Sequence, residues 1–297
     1  MLFPRKTAGS DVQSLRAASI LFVFFILTVA GMPWQMSAQK FHLKRRKTFP
    51  HRYHRFLCRL FGIRVTVIGQ PVQDRGVLMV SNHTSYFDIL ALSAAACVSF
   101  VAKSQVARWP FFGLLAKLQG TVFIDRERRS SAGEARDLIR QRLQDGDALV
   151  LFPEGTSNDG NRVLPFKSAL LGAAELEIDV AGHATPVPIQ PVSVTYVGLY
   201  GIPMGREYRP LFAWYGDMDL IPHLWEAVKT GPIDVIVEFH RPLTADSAGG
   251  RKVLASVAEA IVRAGQTRAL SGAETVADIA TPGSYSAGHA EIAEAVA

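Results

Sequence analysis

Apolar residues fall into two kinds of run along this chain. Across residues 17–34 they are nearly continuous, and no charged side chain appears between Ala17 and Gln39. At about 1.5 Å per residue such a run reaches across a bilayer core of about 30 Å, so an N-terminal membrane helix is predicted. Beyond it, shorter apolar runs of β type alternate with helical patterns over residues 64–69, 76–81, 87–96, 99–102, 105–118, 121–125, 133–144, 148–152, 169–176 and 187–196. Within 133–144 the apolar positions Ala135, Leu138, Ile139 and Leu143 recur at helical spacing, and Asp145-Gly146 stops the run. A later strand over 233–239 and a closing helix over 252–263 complete the pattern. Such alternation predicts the α/β class, a single domain with a mixed, mostly parallel sheet covered by helices. The organisation expected is an anchor over 1–39, a basic juxtamembrane segment over 40–60, the α/β domain over 61–268, and a mobile tail over 269–297 rich in Ala, Gly, Ser and acids.

Charge sharpens the reading of the anchor. Lys40, Lys44, Arg45, Arg46, Lys47, Arg52, Arg55 and Arg59 follow it with no acid among them, and they dominate a net charge of +6. By the positive-inside rule the domain is expected on the cytoplasmic face of the cell inner membrane. The basic segment is expected to meet anionic lipid headgroups, each contact contributing roughly 1 kcal/mol near the surface. A cleaved signal peptide fits poorly, because the apolar run is long and Met36-Ser37-Ala38 is a weak cleavage site. A re-entrant or interfacial helix, broken near Gly31 and Pro33, stays open beside a spanning one. No nucleic acid partner is expected, since the charge abuts an apolar anchor and no recognition motif accompanies it.

The chemistry-bearing positions cluster where strands end. Behind the apolar run 76–81 comes Ser81-Asn82-His83-Thr84-Ser85-Tyr86-Phe87-Asp88, which joins an imidazole to a carboxylate across four residues. That is the layout of a general base with an orienting partner. Asp125 and Arg126 follow the run 121–124, and Arg126 can grip a phosphate through paired hydrogen bonds. Glu154, Gly155 and Thr156 follow 148–152, and Lys103 follows another strand. Sites of open α/β sheets form at the carboxyl ends of strands, so these clusters are expected on one rim. The fourth block, 187–192, carries Pro188 and Pro191, which argue against a regular sheet interior. Ser85 and Ser157 lack the Gly-x-Ser-x-Gly elbow of serine hydrolases. No nucleotide loop and no metal-ligand cluster is apparent, so the chemistry is read as needing no cofactor.

These blocks, in this order and spacing over roughly residues 61–242, resemble the glycerolipid acyltransferase family typified by 1-acylglycerol-3-phosphate acyltransferases. The resemblance implies that His83 deprotonates the free hydroxyl of a lyso-lipid while Asp88 holds the ring, with direct attack on an acyl thioester and no acyl-enzyme. It further implies that Arg126, Glu154, Gly155 and Thr156 bind the acceptor, with Lys103 and Asp125 nearby, and that Pro191 shapes the acyl-donor side. The leading acceptor is 1-acyl-sn-glycerol-3-phosphate. Residues 214–225 look more like the bacterial lyso-ornithine lipid acyltransferases, where Asp217 or Asp219 would meet an ammonium headgroup; Asp219 also suits a helix N-cap, with Pro222 in the first turn. The donor is an acyl-carrier protein or an acyl-CoA. A rival of another class is a non-catalytic membrane lipid-binding protein, against which the joint presence of His83 and Asp88 speaks.

Overall fold

The computed structural model describes residues 8–125, 131–180 and 182–272. In chain order these form α1 (Ala8–Lys40), α2 (Arg45–Phe61), β1 (Ile63–Gly69), β2 (Val77–Ser81), α3 (Phe87–Ala95), β3 (Val98–Lys103), α4 (Phe112–Leu118), β4 (Val122–Ile124), α5 (Ser131–Gln144) and β5 (Ala148–Leu151). There follow β6 (Glu177–Val180), β7 (His183–Pro186), β8 (Ile189–Leu199), β9 (Ile202–Pro203), α6 (Leu220–Thr230), β10 (Ile233–Phe239) and α7 (Arg251–Ser271).

The main sheet has the order β1-β10-β8-β2-β5-β3-β4, with β9 paired to β8. Strands β8, β2, β5, β3 and β4 run parallel, while β10 is antiparallel to β8 and carries β1 parallel to itself. Alternation along β2 divides the core. Val77 and Met79 pack with Phe87, Leu92, Val194 and Tyr196 beneath α2 and α3. Leu78 and Val80 pack with Leu143, Leu149, Leu254 and Val262 beneath α5 and α7.

Three expectations are corrected. Pro191 lies in the sheet interior, on β8 between β10 and β2, opposite Val80. Its carbonyl accepts from His240 N at 3.0 Å, so its nitrogen faces the same side, where β10 has just ended. There the Gln190 Nε2 amide donates to the His240 carbonyl at 3.0 Å, supplying a donor that proline lacks. The run 105–118 is not one helix: a 3-10 turn, Ser104–Arg108, and α4 are separated at Trp109-Pro110-Phe111, where Phe111 takes φ 61°. The closing helix exceeds 252–263 at both ends, and residues 273–297 of the expected tail lie outside the described residues.

Helix α1 is long and apolar enough to cross a membrane by length and composition. It also packs along the domain. Arg16 donates to the Val228 carbonyl of α6 at 2.8 Å, Thr28 bonds Tyr53 of α2, and Gln35 and Gln39 donate to the Leu118 carbonyl of α4 at 2.8 and 3.1 Å. Its other side leaves Phe22, Phe25, Ile26, Val29 and Trp34 exposed. On α2, Arg45, Arg52, Arg55 and Arg59 form an exposed stripe beside it.

Candidate active site

Strand β2 delivers its last residue, Ser81, to the carboxyl rim, and the chain then turns into α3. Asn82 controls the exit. Its side-chain amide is fully buried and pairs both ways with the backbone of β8: Nδ2 donates to the Val194 carbonyl at 2.8 Å, and Val194 N donates to Oδ1 at 2.9 Å. A side chain thereby prolongs the β2–β8 ladder by one step. His83 emerges next, one fifth exposed, with its ring stacked on Phe152 at a centroid distance of 4.1 Å.

Asp88, in the first turn of α3, has no exposed surface. Its Oδ2 accepts from His83 Nδ1 at 2.8 Å, Thr84 N at 2.7 Å and Ser85 N at 3.0 Å. Its Oδ1 accepts from the Tyr196 hydroxyl at 2.7 Å. Four donors thus meet a carboxylate buried at a helix N-terminus, where they take the place of water. Because Nδ1 donates to Asp88, Nε2 carries the imidazole lone pair, which is the arrangement a proton acceptor needs.

Strand β5 neighbours β2 and brings the second cluster alongside. Glu154 lies under the rim, 1 % exposed, with Asn158 Nδ2 donating to Oε2 at 2.8 Å. Burial pushes its carboxyl up to about 8, against the pull of Asn158 and the backbone amides of Leu164 and His83. Gly155 takes φ 77°, Thr156 is exposed, and Asn158 N donates to the His83 carbonyl at 3.1 Å. At Gly160, φ 76°, a Cβ would come to 3.0 Å from the Thr84 methyl group, so the backbone conformation and the tight approach both favour glycine. Helix α7 pins this loop from behind: Gln266 donates to the Gly160 carbonyl at 3.3 Å and Phe166 N to Glu259 at 3.0 Å.

The remaining predicted positions spread outward. Lys103 and Asp125 close strands two and three places from β2, about 10 and 14 Å away at 4.8 Å per strand, and Lys103 is exposed. Arg126 lies outside the described residues. Pro191 is buried in the strand below His83 and offers no rim surface. The segment 214–219, in contrast, reaches the His83–Asp88 turn: Trp214 N donates to the Thr84 carbonyl at 3.0 Å, and Ser157 bonds the Trp214 carbonyl. Trp214 Nε1 closes the turn on the Met218 carbonyl at 2.8 Å, and Asp217 and Asp219 are exposed. Asp219 occupies the N-cap position of α6 without a side-chain capping bond. Tyr86 joins α3 to α6 through His223 Nδ1 at 2.8 Å. Below the rim an apolar cleft of about 220 Å³ opens between α1, α2, α3 and α4, lined by Phe24, Leu27, Tyr53, Tyr86, Phe100 and Trp109 among others.

The acyltransferase family model matches residues 64–195. The chain is 43 % identical over 263 residues to the lyso-ornithine lipid O-acyltransferase of Brucella abortus, covering 89 % of this chain and 98 % of that protein. This chain is an acyltransferase of that family. It is also 31 % identical over 199 residues to the 1-acyl-sn-glycerol-3-phosphate acyltransferase of Neisseria gonorrhoeae, which spans 66 % of this acyltransferase and 72 % of that one. The 1-acyl-sn-glycerophosphate acyltransferase structure from Thermotoga maritima has the same fold, with a TM-score of 0.60 at 22 % identity over 87 % of this chain and 95 % of that chain.

Asn82, Tyr196 and the α7 clamp escape sequence reading. Asn82 stands inside the quoted run, but an asparagine after a strand reads equally as a turn. Tyr196 is 108 residues from Asp88, and no local pattern joins them.

Proposed function

We propose that His83 takes the proton of a lyso-lipid hydroxyl at Nε2 while the alkoxide oxygen attacks the carbonyl carbon of an acyl thioester. The new C–O bond forms, the C–S bond breaks, and His83 returns the proton to the departing thiolate. Asp88 fixes the tautomer and stabilises the imidazolium. The observation that carries this reading is the His83–Asp88 pair, 2.8 Å apart and aimed from a buried carboxylate toward a partly exposed ring. Gly155 and Thr156 are the acceptor-side surface of the neighbouring loop, with Glu154 holding that loop from beneath. The apolar cleft suits a fatty acyl chain.

For the acceptor we infer lyso-ornithine lipid. The Brucella relative matches over 89 % of this chain, enough to take in residues 214–225, and that segment is tied to the catalytic turn through Trp214. Asp217 and Asp219 then meet the ornithine ammonium. A second reading, 1-acyl-sn-glycerol-3-phosphate, draws on the Neisseria relative and on Lys103 near the rim. In both readings the donor is acyl-carrier protein or acyl-CoA. The exposed side of α1 sits in the inner membrane, with the α2 arginines at anionic headgroups and the rim on the cytoplasmic face.

The test is acyl transfer by washed membranes carrying the protein, offered both acceptors and both donors, with His83→Ala as control. The expected result is product from lyso-ornithine lipid that falls at least about a thousandfold in the control. Product from lysophosphatidate alone moves the acceptor to the second reading. Undiminished transfer by His83→Ala overturns the mechanism.

A further inference from the structure

We infer that Tyr196 is a positioning residue for this acyltransferase, setting the orientation and strength of His83 through its hydrogen bond to Asp88. The inference rests on the base assignment just made. Tyr196 lies on β8, one residue past the stretch that the family model matches.

The geometry around the carboxylate is asymmetric. Oδ2 holds three donors, two of them backbone amides that belong to the turn itself. Oδ1 takes the Tyr196 hydroxyl, at 2.7 Å, from the opposite side of the core. Both residues are buried, Asp88 at 0 % and Tyr196 at 2 %, so solvent does not replace this donor if it is lost. The Oδ1 bond stops the carboxylate from rotating about its Cβ–Cγ bond, and the orientation of Oδ2 fixes the plane of the imidazole.

The backbone is shaped to deliver the hydroxyl. Between Tyr196 and Gly198 the β8–β10 register slips, with Tyr196 opposite Val235 and Gly198 opposite Asp234. Val197 is the extra residue, and its carbonyl accepts from Met204 N at 2.7 Å. Bulges of this kind re-aim a neighbouring side chain. Two residues earlier the same strand grips Asn82 through Val194. One strand therefore holds both ends of the His83–Asp88 turn.

The phenol stays a donor across the working pH range, because burial first, and the Asp88 charge second, raise its proton affinity well above the ordinary tyrosine value. The other titratable groups facing the pair are Tyr86, Cys58 and Glu154. Burial holds Tyr86 above the ordinary range and pushes Cys58 up to about 12, while Glu154 is pushed up to about 8.

The test is the titration of His83 in full-length protein in lipid nanodiscs, followed by NMR with ring-labelled histidine, its signal assigned by absence in His83→Ala. Tyr196→Phe removes the donor, leaves Asp88 more strongly attracted to the imidazolium, and is expected to raise the His83 midpoint by about half to one unit. A fluorinated tyrosine at 196 keeps the shape, donates more strongly, and is expected to lower it. The acid limb of kcat/KM should move in the same two directions, with kcat down about tenfold in Tyr196→Phe and KM within about twofold. On an Asp88→Asn background Tyr196→Phe should add no further loss. A His83 midpoint unmoved by both substitutions, or a full additional loss on that background, overturns the inference. If Tyr196→Phe fails to fold, the fluorotyrosine protein decides alone. Should His83→Ala still transfer acyl groups, the base assignment fails while the titration still decides on Tyr196.

Discussion

The turn that carries His83 and the loop that carries Asp217 sit side by side, yet they are held in opposite ways. In the first, backbone and side-chain groups are tied to the sheet by Asn82, Tyr196 and the Asp88 carboxylate, all buried. In the second, Trp214 supplies main-chain contacts at one end, and Asp217 and Asp219 project without any ion pair among the described residues. The contrast separates the proposed proton-transfer site, which tolerates little variation in geometry, from the proposed recognition surface, which tolerates more. Ordered groups cost conformational entropy, and that cost is concentrated where proton transfer demands it.

The largest effect is expected from attacking the held region. Asn82→Ala leaves the Val194 amide and carbonyl buried without partners, which costs about 3 kcal/mol, and it frees His83 to drift. Thermal melts in detergent should fall by several degrees, and kcat by about a hundredfold. A melt and a kcat like those of the wild type would dissolve the contrast.

Glu154 tests the border between the two regions. Its folded value near 8 lies above the ordinary glutamate value of 4.5, so the contribution of its protonated form is complete below pH 4.5. That stability is lost at up to about 1.4 kcal/mol per pH unit as pH rises toward 8, because the unfolded chain releases its proton first. Glu154→Gln mimics the neutral acid. It should flatten the dependence of melting temperature on pH between 5 and 8, and at pH 6.5 it should keep kcat within about threefold. If the slope survives the substitution, Glu154 is not its source.

The smallest effect on stability, and the most selective on function, belongs to the loosely held loop. Asp217→Asn with Asp219→Asn should leave the melt unchanged within about 0.5 kcal/mol and raise KM for lyso-ornithine lipid about fivefold to tenfold. With lysophosphatidate as acceptor, KM should stay level or fall. Equal changes for both acceptors would strip the two acids of a selective role.

How much of this is legible in the chain follows from distance along it. Strands such as Ile233–Phe239 and Ile63–Gly69 stand out because alternation and turn residues are local signals, and His83 finds Asp88 five residues away. The rule that sites form at strand ends brings His83 and Glu154 onto neighbouring strands, while Lys103 and Asp125 close strands about 10 and 14 Å away. What is illegible is lateral. Which side of a strand a missing N–H faces decides whether a proline is tolerated, and Pro191 is misread for that reason. Pro110 is a local signal for the break at Trp109-Pro110-Phe111, but the φ of 61° at Phe111 goes with its packing against Phe24 and Phe25 of α1, a contact no local pattern encodes. Tyr196 reaches Asp88 only after β8 has been inserted between β2 and β10.

The amide of Asn82 has a consequence for descent as well as for catalysis. Because the reactive turn is gauged from an interior strand through Asn82, and from its loops through the main-chain bonds of Asn158 N to the His83 carbonyl and Trp214 N to the Thr84 carbonyl, exposed side chains such as Thr156, Asp217 and Asp219 can change while those bonds stand. A lineage can then edit exposed side chains at the periphery while inheriting the reactive centre, and this chain aligns with relatives named for two different acceptors.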